Sequence, residues 1–244
     1  MNDRPVATAA AVMAAAAAQA DPERAVNSAR FFQAKPGGYG EGDEFIGLTV
    51  PLQRRIAKQF RGIGADAIVE LLASPVHEHR LIALFCLRAE FDRAADDAAR
   101  ERWIELYLAA VDRGRVNNWD LVDSSADPIL GEYLHARDDR KPLVELAAQQ
   151  DLWRRRVGII GTFAFIKHGD ATATLAVAPL VIDDRRDLVQ KAFGWMLREV
   201  GKRVDPATLS GYLEDHAAQM GRTALSYAIE HLPPERRTYY RSLR

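Results

Sequence analysis

The chain has one cysteine in 244 residues, so no disulfide can form within it. That residue, Cys86, lies in the apolar run Leu81 to Leu87 and reads as a small buried hydrophobe rather than a thiol nucleophile. A chain without disulfides suits a reducing cytoplasm, which is the expected location. Apolar runs of eighteen or more residues are also missing, and with them the pattern of a membrane span. The alanine-rich stretch Val6 to Ala20 comes nearest. It has little leucine, isoleucine or phenylalanine and follows an acidic Asp3, so a first helix over residues 1–20 is expected rather than a secretion signal.

The familiar signatures of several enzyme classes are absent too. Six histidines occur, but His77 and His79 are two apart and none of the others makes a metal-ligand spacing with a nearby cysteine or carboxylate. There is no Gly-x-Ser-x-Gly elbow, no Walker loop and no dinucleotide fingerprint. No metal and no nucleotide cofactor is therefore expected. Strand-like alternation is hard to find, and apolar and charged residues stand near ordinary globular proportions.

What is present is helical periodicity. Pro51 to Phe60, Ala65 to Ala73, Val76 to Phe91, Ala95 to Val111, Leu143 to Gln150, Leu152 to His168 and Leu188 to Val200 carry apolar residues at three- and four-residue spacing. Breaks are expected at Gly62, Gly64, Pro75, Gly114, Pro128, Gly169 and Gly201. Asp151-Leu152 through Gly158 and Asp187-Leu188 through Gly194 share one pattern: Asp-Leu, two residues, a basic residue, two residues, glycine. Their offset of about 36 residues fits stacked helical hairpins of the HEAT or armadillo kind. The expected fold is all-α: a right-handed α-α superhelix, or HEAT-like repeat solenoid, forming a single domain over residues 1–244. Its glycines are expected to let neighbouring helices approach closely.

The segment 34–50 departs from this plan, with five glycines beside Tyr39, Glu41, Asp43 and Glu44. A phosphate-cradling loop needs exposed backbone N–H groups and preferably a basic residue, whereas this one is acidic. It reads as a turn-rich connection that packs Tyr39 and Phe45 onto the helices, the alternative being a rim to a binding groove.

A net charge of −1 conceals an uneven distribution. Residues 151–203 hold ten Lys and Arg against six Asp and Glu, and residues 233–244 hold four against one, leaving −8 for the rest. Arg154, Arg155, Arg156, Arg185, Arg186, Lys191, Lys202, Arg203 and Arg222 could line a concave basic face that tracks phosphates; charge runs on helices are otherwise solvated surface.

Trp119 and Asp123 stand four residues apart on an expected helix, which puts an indole and a carboxylate on one face. Arg156 and Trp195 occupy similar places within their own repeat units. A carboxylate between aromatic faces attracts positive charge. Each residue also has a plain reading, the tryptophans as core and the acid with the arginine as a structural ion pair.

The stretches Asn118-Trp-Asp-Leu-Val-Asp123, Leu152-Trp-Arg-Arg-Arg156 and Gln190-Lys-Ala-Phe-Gly-Trp-Met-Leu-Arg-Glu199 resemble the signature helices of the AlkD family of DNA alkylation-repair glycosylases. The loop Gly37-Gly-Tyr-Gly-Glu-Gly-Asp43 resembles a segment of many members, and the likeness runs from about residue 25 to residue 240. The resemblance implies a monomeric enzyme that binds duplex DNA and removes N3- and N7-alkylated purines such as 3-methyladenine and 7-methylguanine. It puts the catalytic carboxylate on Asp123, the catalytic tryptophans on Trp119 and Trp195, and an active-site DNA contact on Arg156. Two other classes stand beside it: a non-catalytic nucleic-acid scaffold, and a protein-interaction array whose aromatic and acidic cluster recognises a cationic group such as a methylated amine.

Overall fold

A computed structural model of the protein describes residues 7–243. The chain divides into two compact helical units, one ending at Ser125 and one beginning at Ala126. The first unit contains α1 (Ala9–Ala17), α2 (Pro22–Phe31), α3 (Val50–Gln59), α4 (Ala65–Ala73), α5 (His77–Arg93), α6 (Asp97–Asp112) and α7 (Trp119–Asp123). The second opens on a π-helical segment, Ala126–Gly131. It continues through α8 (Glu132–His135), α9 (Lys141–Ala148), α10 (Leu152–Gly161), α11 (Phe163–Lys167), α12 (Thr172–Val181), α13 (Asp187–Arg203), α14 (Pro206–His216), α15 (Arg222–Ala228) and α16 (Pro234–Ser242). The fold is therefore all-helical, as the periodicity predicts. Among the described residues the extended pairing is confined to one bridge, between Glu44 and Val76. No helix among them is long and apolar enough to cross a membrane.

Each unit is organised around one long helix. In the first it is α5, which packs on α3, α4 and α6 and buries Leu81, Ile82, Leu84 and Leu87. Because it is enclosed, buried residues lie all round it rather than along the one stripe that its apolar spacing predicts. Cys86 sits in this core, where burial and the nearby Glu90 charge push its thiol up to about 12, too high for a nucleophile. In the second unit α13 takes the central place, packed on α10, α12, α14 and α15.

The two matching patterns fall on α10 and α13, and their glycines lie at helix crossings. A Cβ on Gly158 would come 2.5 Å from the Ala147 nitrogen of α9, and one on Gly194 would come 2.2 Å from the Ala224 carbonyl oxygen of α15. Three expected boundaries change. Gly201 does not end a helix: α13 continues to Arg203, and Gly201 makes room for Leu209 of α14, whose Cδ2 would lie 2.4 Å from an added Cβ. The stretch Leu152 to His168 is broken at Thr162, whose hydroxyl bonds back to the Ile159 carbonyl at 2.7 Å. Pro128 is held inside the π-helical segment rather than breaking the chain. The alanine-rich helix forms over Ala9–Ala17, and the part of that expectation on residues 1–6 lies outside the described residues.

Candidate functional site

α7 is only five residues long, and its ends are tied to the rest of the first unit. The buried Asn118 accepts a hydrogen bond from the Trp119 nitrogen at 2.8 Å. Leu121 and Val122 enter the core, while the Ser125 hydroxyl donates to the Leu121 carbonyl at 2.6 Å and lies 3.1 Å from the Tyr107 phenol oxygen. Trp119 and Asp123, at opposite ends of the helix and one turn apart, are left half-buried. Burial holds the Tyr107 phenol protonated, and the negative charge of Asp123 adds to that effect.

Trp119 belongs to a series of rings. It stacks on Phe32 with centroids 5.3 Å apart and meets Phe31 edge-on at 5.9 Å. Phe32 stacks in turn on His77 at 4.8 Å and on Phe45 at 5.4 Å. Phe31 is 65% exposed, so the indole is flanked by an uncovered aromatic edge.

His77 lies at the base of this series between two carboxylates. Its Nδ1 is 3.0 Å from Asp43 and its Nε2 is 2.8 Å from Asp120, the residue next to Trp119. Burial opposes a charge on the ring, but the hydrogen bonds to Asp120 and Asp43 outweigh it and raise the imidazole to about 9. Arg80 donates to the other oxygen of Asp43 at 2.6 Å. Burial works against the Asp43 anion, and His77 and Arg80 together still hold its carboxyl below the usual range.

The same contacts order the glycine-rich loop. Glu44 exchanges backbone hydrogen bonds with Pro75 and His77. The buried carboxylate of Glu78 accepts from the nitrogens of Ile46, Gly47 and Leu48, the shortest at 2.8 Å. The Tyr39 hydroxyl donates to the Phe31 carbonyl at 3.2 Å. Gly40 passes so close to Phe32 that an added Cβ would come 2.3 Å from its carbonyl oxygen. The loop is a packed connection, with Tyr39 and Phe45 turned onto the helices as expected. Its Asp43 is turned inward to His77 and Arg80 rather than outward to solvent.

In the second unit, Asp151 caps α10 by accepting from the nitrogens of Trp153 and Arg154 at 3.0 and 2.9 Å. Arg156 is 4% exposed and donates to the Leu188 carbonyl in the first turn of α13. Trp195 is half-buried on α13, with its ring 5.8 Å from that of Phe163. Arg156 and Trp195 thus belong to two helices packed on each other.

The expected basic stripe divides into internal and surface groups. Arg155 is 7% exposed; it bonds Asp184 at 2.8 Å and the carbonyls of Gln149 and Ala148 at 2.8 and 3.3 Å. Burial opposes the Asp184 anion, yet hydrogen bonds from Arg186 and Arg155 hold its carboxyl at about 2. Arg155 therefore ties helices together, a structural task that its expected phosphate contact would have to share. Arg154 donates to Gln149 at 3.0 Å while half-buried, Lys191 pairs with Asp187 at 2.7 Å, and Arg222 is exposed at the start of α15. Among the described residues no three His, Cys, Asp or Glu side chains gather as metal ligands would.

Spacing alone put Trp119 and Asp123 on one helix face. The parts played by Phe31, Phe32, His77, Asp43 and Asp120 are not legible in the spacing, because their partners are distant in the chain: His77 lies 34 residues from Asp43 and 43 from Asp120. The signal available was Asp120 itself, an acid in the middle of an otherwise apolar turn.

The family model for DNA alkylation repair enzymes matches residues 12–232. No match was found among curated proteins. A solved structure described as a predicted DNA alkylation repair enzyme from Enterococcus faecalis is similar, with a TM-score of 0.67 and 16% identity over 88% of this chain and 98% of the other. At that identity the likeness establishes a shared α-α repeat fold, while the family match covers most of the chain. The chain therefore belongs to the DNA alkylation repair enzyme family, and its role lies in DNA repair.

Proposed function

We propose that the protein is a DNA N-glycosylase that hydrolyses the N-glycosidic bond of cationic N3- and N7-alkylpurines in duplex DNA. The observation that carries this reading is the pairing of Trp119 and Asp123 at the two ends of a short helix tied down by its neighbours, both side chains half-buried and the indole beside the exposed Phe31.

Alkylation at N3 or N7 makes the purine a cation, so it leaves without protonation by a general acid. The charge to be stabilised is the one that develops on the deoxyribose as the C1′–N bond breaks. Asp123 supplies the anion for it and orients the water that attacks C1′. The faces of Trp119 and Trp195 contribute cation–π contacts, each worth on the order of 0.5 to 2 kcal/mol when desolvated. Arg156 is assigned to a phosphate flanking the lesion, which suits a planar guanidinium. Arg154, Lys191 and Arg222 are assigned to more distant phosphates.

Incubation of methylated duplex DNA with the protein, followed by chromatography of the released bases, tests the reading. Release of 3-methyladenine and 7-methylguanine is expected. Asp123→Asn should nearly abolish release while leaving DNA binding intact, and a mutant as active as the wild type would remove Asp123 from the chemistry.

A further inference from the structure

A five-residue helix has too few hydrogen bonds of its own to fix its pose, so α7 must be held from outside. His77 reaches it by two routes. One is the 2.8 Å contact with Asp120, the residue that follows Trp119. The other is Phe32, whose ring stacks both on His77 at 4.8 Å and on Trp119 at 5.3 Å. Behind His77 stands Asp43, 3.0 Å from its other ring nitrogen and itself bonded to Arg80.

This arrangement costs more than stability alone requires. A buried ionic cluster is often no more stabilising than apolar side chains of the same volume, and what it adds is a defined geometry. The side chains whose geometry is defined here are those of α7. With 2% exposure, His77 meets no substrate atom.

We propose that His77 is a positioning residue for base release: held between Asp43 and Asp120 and stacked on Phe32, it sets the pose of Trp119 and of the Asp123 carboxylate. The proposal rests on the glycosylase reading of those two residues. It also gives the glycine-rich loop a purpose, since the loop delivers Asp43 to the far side of the imidazole.

His77→Gln keeps an amide that can bond one carboxylate but carries no ring and no charge. Its single-turnover rate of 7-methylguanine release should fall roughly ten- to a hundredfold, the scale expected of a small misplacement, while Kd for undamaged duplex changes by less than about twofold. A lost structural support would weaken both together. A folded His77→Gln that releases base at the wild-type rate overturns the proposal. Should that variant fail to fold, Phe32→Leu takes its place, because it leaves Asp43, His77 and Asp120 bonded and removes only the ring beneath Trp119. The same split is expected of it, and an unchanged rate again overturns the proposal.

If the wild-type protein releases no base, the glycosylase reading falls and positioning is decided by fluorescence. In a variant with Trp103, Trp153 and Trp195 changed to Phe, Trp119 is the sole emitter. His77→Gln should then raise its quenching by acrylamide and shift its emission to the red, and an unaltered spectrum and quenching constant reject the positioning role.

Discussion

Nε2 of His77 lies 2.8 Å from Oδ2 of Asp120, joining the first residue of α5 to the second residue of α7 across 43 positions of sequence. With Asp43 on the opposite nitrogen, one side chain ties together the central helix of the first unit, the glycine-rich loop and the helix that carries Trp119 and Asp123. Phe32 and Phe45 pack against the imidazole, with centroids 4.8 and 4.9 Å from it. A protonated imidazole suits every one of these neighbours, since it offers two donors to two carboxylates and a cation to two aromatic rings.

The stability of the protein should therefore fall as the solution is made alkaline. His77 titrates near 6.5 when unfolded and at about 9 when folded, because the hydrogen bonds to Asp120 and Asp43 overcome both burial and the repulsion of Arg80. Folding thus favours the protonated ring. Its contribution is complete below about pH 6.5 and is lost as the pH rises through 9, with an upper limit on the order of 3 kcal/mol by linkage. Urea denaturation between pH 6 and pH 9.5 should reveal this loss in the wild type, and His77→Gln should be nearly flat over the same interval. Parallel curves for the two proteins would assign the alkaline loss to other groups.

The features legible from residue order were those that depend on neighbours in the chain. α4 spans Ala65–Ala73 as its spacing predicts, and Trp119 and Asp123 share a face because they stand one turn apart. What could not be read was set by tertiary neighbours. Gly201 has the composition of a helix end, but its lack of a side chain serves the approach of Leu209 while α13 runs past it. Arg155 has the charge of a phosphate contact, but Asp184, 29 residues later, claims it. His77 and His79 show no ligand spacing, and nothing local reveals that the acids around His77 come from a loop and a distant helix.

Gly158→Ala and Gly194→Ala should each destabilise the second unit. The added methyl would lie 2.5 Å from a backbone nitrogen in the first and 2.2 Å from a carbonyl oxygen in the second, and backbone atoms cannot swing aside. A cost of about 1–3 kcal/mol is expected, the usual scale for overpacking. Gly211→Ala in α14 meets nothing within 4 Å and should be neutral or stabilise by about 0.5–1 kcal/mol through helix propensity. Thermal unfolding of the three variants checks the contrast. Equal behaviour would mean that the crossings at Gly158 and Gly194 are looser than these distances imply.

Adjacent arginines on α10 should separate into two phenotypes. Arg155→Ala leaves Asp184 with Arg186 alone in a nearly buried site, so the expected loss is in stability, on the scale of about 1.5–3 kcal/mol for lost hydrogen bonds to a charged group. Arg154→Ala should leave folding almost unchanged and lower the slope of log K against log salt by about 1, as loss of one phosphate contact does. Salt titrations of binding to undamaged duplex, with denaturation curves alongside, measure both. A reversed result, with Arg155→Ala folded and shallow in salt dependence, would return Arg155 to the DNA-contacting surface.

Substrate choice should follow from which charge the site stabilises. In the proposed roles Asp123 and the indoles lower the energy of a cationic sugar, but a neutral base leaves as an anion unless an acid protonates it, and none of these roles includes donating that proton. Duplexes carrying 7-methylguanine should therefore be depurinated, whereas matched duplexes carrying uracil should stay intact under the same single-turnover conditions. Because the leaving group's own charge does the work of the acid, enlarging the alkyl group on N7 should change the rate far less than removing that charge. Release of uracil at a comparable rate would require a general acid, and the roles given to Asp123, Trp119 and Trp195 would then have to be reassigned.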